Sequence, residues 1–187
     1  MKDCKQKWWK DAALGMFVHW GLYSMLGGVW NGRRTDNVSE WIMRHLEIPV
    51  ESYRALAASF CPENFNARQW VQLAADSGMK YLVYTAKHHD GFAMYRSACS
   101  RYNIVDATPF GRDPLLELAE ACAMAGIKLG VYYSQAQDWD EPNGLGYGKP
   151  DSEKNYAQYY HDKCLPQLRE LLTQGCYDET DRIGETV

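Results

Sequence analysis

Three short apolar runs punctuate the chain, and the stretches between them carry helical spacing. Leu14-Gly-Met-Phe-Val-His-Trp20, Tyr81-Leu-Val-Tyr-Thr-Ala-Lys87 and Leu129-Gly-Val-Tyr-Tyr-Ser134 are continuous in apolar character rather than alternating. That pattern predicts parallel strands buried on both faces. Asn66 is placed to cap a helix over Ala67 to Ser77, with Trp70, Leu73 and Ala74 on its inner face and Gly78 as its stop. Asp113-Pro114 predicts a second helix, because aspartate caps free N–H groups and proline fits the first turn. That helix spaces Leu115, Leu118, Ala119 and Cys122 on one side and stops at Gly126. After each glycine a strand follows within a few residues, which is the helix-to-strand half of a βαβ unit.

A third helix is predicted over Asn155 to Thr173, presenting Tyr156, Tyr159, Tyr160, Leu168, Leu171 and Leu172, with Pro166 kinking or splitting it. Shorter helices are expected at Ser39 to Leu46 and Val50 to Phe60, inserted after the first strand. The order is an α/β one, about three βα units of a parallel sheet, as in a partial (β/α)8 TIM-like barrel. Residues 1–174 form this unit. Residues 175–187 are polar, lack a strand period and read as an irregular tail.

Composition adds little to the fold but narrows the function. The chain has 187 residues, 46% hydrophobic and 24% charged, which is ordinary for a globular domain. Its 7 Trp, 13 Tyr and 5 Phe make a high aromatic share of 13%; flat aromatic faces suit sugar pockets, although any one ring is more often simply core. A net charge of −4 with scattered Lys and Arg gives no reason to expect nucleic acid. No run approaches a membrane span, and Met1 to Lys10 lacks the apolar stretch of a secretory signal. The six cysteines form no Cys-x-x-Cys pair and read as reduced thiols of a cytoplasmic protein.

The chemistry-bearing residues collect where the strands end. In a parallel α/β barrel those ends carry the functional groups. The first run ends in His19-Trp20-Gly21, the second in Lys87-His88-His89-Asp90-Gly91, the third in Tyr132-Tyr133-Ser134 with Asp138-Trp139 soon after. Glu40-Trp41 follows the first strand, and His45 sits on a nearby helix. Taken singly, His19 reads as a structural donor, Glu40 as a solvated or capping carboxylate and Tyr132 as core. Adjacent side chains on a strand face opposite ways, so His88 and His89 share a pocket only if the chain bends, which Gly91 permits. A metal site using His88, His89 and Asp90 is a competing reading, that of a small metal-dependent hydrolase. No known zinc-motif spacing occurs, so no metal or other cofactor is expected.

Together these residues resemble glycoside hydrolase family 29, the α-L-fucosidases. The resemblance runs from Trp8-Trp9 through Leu14 to Gly21, Glu40-Trp41, Phe65 to Trp70, Lys80 to Phe92, Gly111-Arg-Asp113 and Leu129 to Ser134, and fades after Leu172. Lys-His-His-Asp-Gly-Phe is its most specific part. The resemblance implies a retaining exo-α-L-fucosidase that removes terminal fucose from glycans. It implies that His19, His88 and His89 hydrogen-bond fucose hydroxyls, that Glu40 and Trp41 contact the sugar, and that Tyr132 lines the pocket. It also makes Glu40 a candidate general acid/base. Retention requires a second carboxyl group about 5–5.5 Å from the first. The family places that nucleophilic aspartate at the end of the fourth strand, and no such strand follows Leu172; Asp178 and Asp181 lie in the polar tail. The expectation is therefore the opening part of a barrel, truncated before its nucleophile, binding fucose with or without hydrolysing it. Three parallel strands leave an open apolar interior and unpaired edges, so a homo-oligomer covering them is expected.

Overall fold

The computed structural model describes residues 7–8 and 10–174. The irregular tail expected at 175–187 lies outside the described residues. Five strands form two sheets: β1 (Gly15–Val18), β2 (Val29–Trp30), β3 (Arg33–Arg34), β4 (Tyr81–Lys87) and β5 (Lys128–Tyr133). The larger sheet has the order β1-β4-β5 with every pair parallel, Gly15 opposite Tyr81 and Tyr81 opposite Lys128. Helix α1 (Ala67–Asp76) leads into β4, and α2 (Pro114–Ala125) crosses from β4 to β5. This is the expected parallel α/β arrangement of a partial barrel.

Local signals set the boundaries. The Asn66 side chain accepts from the Gln69 N–H at 3.1 Å to start α1. Asp113 accepts from the Leu115 and Leu116 N–H groups, with Pro114 at the first position of α2, and Gly126 ends that helix in the left-handed region. The third helical stretch is split as expected. A short α segment (Tyr156–Tyr159) passes through a π turn (Tyr160–Cys164) into α3 (Leu165–Gln174). Pro166 stands just past that turn, where its missing N–H falls at a break in the regular ladder rather than inside it. Ser39 to Leu46 and Val50 to Phe60 contain short helices of mixed α and 3-10 type.

Three expectations need correction. Leu73 is exposed; the buried stripe of α1 is Ala67, Val71 and Ala74, small residues that let the helix pack closely. The main sheet is buried on one face rather than two. Leu82, Tyr84 and Ala86 are wholly buried on the helix side, whereas Phe17 on the other face is 52% exposed. Toward the strand end that inner face closes, and Thr85 is wholly buried there. The β2–β3 hairpin was not anticipated: Asn31 and Gly32 both take positive φ, the two-residue turn that Asn-Gly favours. No described helix is long and apolar enough to cross a membrane.

Candidate active site

The C-terminal ends of β1, β4 and β5 surround a hollow, and the way each strand stops decides what faces it. At β1, the Thr85 hydroxyl takes over from the backbone ladder. The Trp20 N–H donates to Thr85 Oγ1, and that hydroxyl donates to the Trp20 carbonyl, both at 3.1 Å. Trp20 thereby turns into the helix-side aromatic cluster, stacked on Phe65 at 5.0 Å, and its neighbour His19 is left facing out.

At β4, the register with β5 shifts between Thr85 and Lys87, and the chain then turns. The Gly91 N–H donates to the His88 carbonyl at 3.2 Å, and Gly91 sits at φ 77°. A Cβ there would fall 2.2 Å from Asp138 Oδ1, so both conformation and space demand glycine. This turn lets consecutive residues share one hollow. The His88 and His89 rings lie 4.3 Å apart, while Asp90 turns into the core and accepts from the Tyr53 hydroxyl at 2.9 Å. Asp90 is therefore no partner for a metal held by the two histidines, and the metal-hydrolase reading through His88, His89 and Asp90 is overturned.

All six residues singled out in the sequence meet here. The His88 ring lies 5.6 Å from His19 and 5.5 Å from Tyr132. Trp41 packs edge-on against His89 at 4.9 Å. Ligand atoms of His19, Glu40 and His88 all fall within 4.8 Å of one another. Three further residues support them, of which Tyr23 alone gave no sign in the sequence. The Tyr23 ring packs edge-on to His88 at 5.6 Å. Trp139 is buried against both Trp41 and His89, each at 5.4 Å. Ser134 bonds the His89 ring. Asp138-Trp139 was visible as an unusual pair, but nothing in the sequence tied it to His89.

The hollow holds neutral imidazoles. Burial, with His89 and His19 beside it, lowers His88 to about 3. Burial, with Lys87 and Arg44 nearby, lowers His89 to about 4. The tautomer of His89 follows from its partner. The Ser134 hydroxyl spends its proton on the Gln137 carbonyl at 2.7 Å, so its oxygen accepts from His89 Nδ1–H, also at 2.7 Å. His89 Nε2 is then an acceptor, suited to a ligand hydroxyl. Burial raises the Tyr132 hydroxyl, with Glu40 adding to the shift, so it stays protonated as a donor.

Directly behind the hollow lies a buried ion network. The wholly buried Asp138 carboxylate accepts from Lys87 and Lys163, each at 3.1 Å. Burial alone would raise Asp138, but the two ammonium groups hold it below the usual carboxylate range. Lys163 also meets Glu141 at 3.1 Å, and carboxylates on several sides raise it despite burial. Lys87 shares Asp138 with Lys163, and burial lowers it.

The sequence profile of the α-L-fucosidase family matches residues 2–181. A putative α-L-fucosidase of Caenorhabditis elegans is 33% identical over 176 residues, covering 89% of this chain and 35% of that protein. Plasma α-L-fucosidase of Rattus norvegicus is 34% identical, covering 89% of this chain and 37% of that protein. Among solved structures, an α-L-fucosidase from Lactobacillus casei in complex with its α-L-fucose product superposes with a TM-score of 0.87 at 44% identity. It covers 90% of this chain and 58% of that one. An α-L-fucosidase from Vibrio sp. strain EJY3 gives 0.86 at 43% identity, over 90% and 30% of the two chains. The chain thus spans about a third of the length of the curated relatives it matches.

Proposed function

The chain belongs to the α-L-fucosidase family, and from that premise we propose that the hollow binds a terminal α-L-fucosyl group of a glycan or fucoside as part of a retaining exo-glycosidase site. The observation that carries this reading is the convergence of His19, Glu40, Trp41, His88, His89 and Tyr132 at three strand ends. The neutral His88 and His89 rings and the Tyr132 hydroxyl offer uncharged donors and acceptors to a ring of hydroxyls. Trp41 offers an apolar face to the sugar's C–H side. Glu40 is the carboxyl group placed to exchange a proton with the leaving oxygen.

Among the described residues the partner carboxylate has no candidate. Asp90 is spent on Tyr53, and Asp138 on two lysines. In this reading the nucleophile comes from outside the described residues or from a second copy. Phe17 on edge strand β1 and Leu14 just before it, each about half exposed, favour self-association. The same single carboxylate favours a second reading, a fucose-binding unit without hydrolysis.

Calorimetry with L-fucose, and hydrolysis of 4-nitrophenyl α-L-fucoside by each size-exclusion fraction, test both. Binding with hydrolysis confined to an oligomer supports the enzyme, and binding without hydrolysis in any fraction supports the second reading. No L-fucose binding at millimolar sugar sinks both. A Glu40→Gln variant of an active fraction should lose roughly 100-fold or more in rate, the scale of general acid catalysis.

A further inference from the structure

We infer that His19, Glu40 and His88 form a site for a divalent transition-metal ion of the Zn2+ or Co2+ class, and that the ion blocks the hollow against sugar. It is an inhibitory site, separate from any need of the reaction. Two imidazoles and one carboxylate are a common ligand set for such ions, leaving further coordination positions for water. Their ligand atoms already lie within 4.8 Å of one another. A tetrahedral ion with bonds of about 2.0–2.1 Å needs them roughly 3.3 Å apart, so the set must close by about 1.5 Å at most.

The residues can make that adjustment. Glu40 stands on the single 3-10 turn Ser39–Trp41, and no hydrogen bond or ion pair ties its carboxylate among the described residues. His19 is exposed just past the end of β1, which also gives an ion its entry path. His88 supplies the fixed point. Only 5% of it is exposed, it is walled by Tyr23, and its buried Nδ1 has no hydrogen-bond partner among the described residues. A ring with unspent hydrogen-bonding capacity, beside a second imidazole and an unpaired carboxylate, is an unoccupied ligand set rather than a satisfied core histidine.

Titration of the full chain with Co2+, followed by its visible ligand-field absorption, tests the site. One equivalent is expected to bind, with affinity falling at least tenfold in His19→Ala and in Glu40→Gln. Both residues lie at the rim, so these variants leave His88 and the core in place. His45→Ala and Cys61→Ser should bind Co2+ like the parent. Unchanged affinity in both rim variants, or a loss confined to the two controls, overturns the site. Saturating L-fucose should raise the apparent Co2+ dissociation constant at least tenfold; co-binding without competition overturns the blocking. That last arm rests on the sugar reading, and calorimetry with L-fucose on the metal-free chain separates the two. If the sugar alone does not bind, the sugar reading fails, while the rim variants still decide the metal site.

Discussion

Two polar clusters sit one residue apart along the chain and obey opposite rules. Lys87 and Asp138 belong to the buried ion network, while His88 and Trp139, the next residues in each case, belong to the hollow. The network is closed: every charge in it has a partner, and Lys87 and Asp138 have no exposure. The hollow is open: His88 and His89 are held neutral, and among the described residues His88 Nδ1 has no partner and Glu40 is unpaired. A turn at Gly91 and a loop after Ser134 sort neighbouring side chains into these two environments. Charge that is matched holds the strand ends in place, and polarity that is unmatched is left to meet a ligand.

Breaking the closed cluster should cost most. Asp138→Ala leaves two buried ammonium groups around an empty space, and a loss of about 3–5 kcal/mol is expected from removing one partner of a buried pair. Urea denaturation measures it. A loss under about 1 kcal/mol would mean that water already reaches Lys87 and Lys163. Gly91→Ala comes next, at about 1–3 kcal/mol for a strained left-handed residue, with the contact to Asp138 added. The two clusters meet at that residue, so its replacement should also weaken ligand binding in the hollow.

Acid should separate the clusters in another way. His88 and His89 titrate lower in the fold than at the ordinary value of 6.5, so below that pH the unfolded chain takes up protons that the folded one refuses. Their stabilisation is complete above 6.5 and is lost as pH falls toward about 4 and then about 3. The slope approaches about 1.4 kcal/mol per pH unit for a ring as buried as His88. Asp90 acts with the opposite sign. Burial raises it to about 6, so its contribution is present at low pH and is lost as pH rises through 6. Between about 4 and 6 it cancels about one histidine. Because the three titrations overlap, unfolding midpoints should drop between pH 6 and 4 with the slope of about one proton, where the two histidines alone would give about two. A midpoint that holds flat from 7 to 4 would place the rings in water.

The open cluster was far easier to see in the sequence than the closed one. His19, His88, His89 and Tyr132 were legible because each lies at or near the end of an apolar run, and because Lys-His-His-Asp-Gly-Phe is a distinctive string, whereas Glu40 and Trp41 stood out only through the family resemblance. The strands and long helices were legible from continuous apolar runs, Asn66, Asp113-Pro114 and Gly126. The ion network was not, because tertiary packing brings Asp138 to Lys87, 51 residues earlier in the chain, and to Lys163 on a later helix. A lone lysine on a helix looks solvated until its surroundings are known. Leu73 misled for a related reason. Two overlapping apolar stripes fit α1, and packing chose the one with smaller side chains. The β2–β3 hairpin is marked in the sequence only by its Asn31-Gly32 turn, because its two-residue strands are too short to carry an apolar period.

The smallest effect is the sharpest test of the division of labour. His89 belongs wholly to the open cluster, and its one fixed contact, to Ser134, serves to leave Nε2 as an acceptor. In His89→Phe the ring contacts with Trp41 and Trp139 are kept and the acceptor is removed. One neutral hydrogen bond is worth about 0.5–1.5 kcal/mol, so L-fucose affinity should fall roughly 2- to 12-fold while stability at pH 7 shifts by less than about 1 kcal/mol. Calorimetry and urea denaturation on the same sample read the two numbers. If stability instead falls as far as in Asp138→Ala, His89 is part of the scaffold, and the boundary between matched and unmatched polarity has been drawn one residue too early.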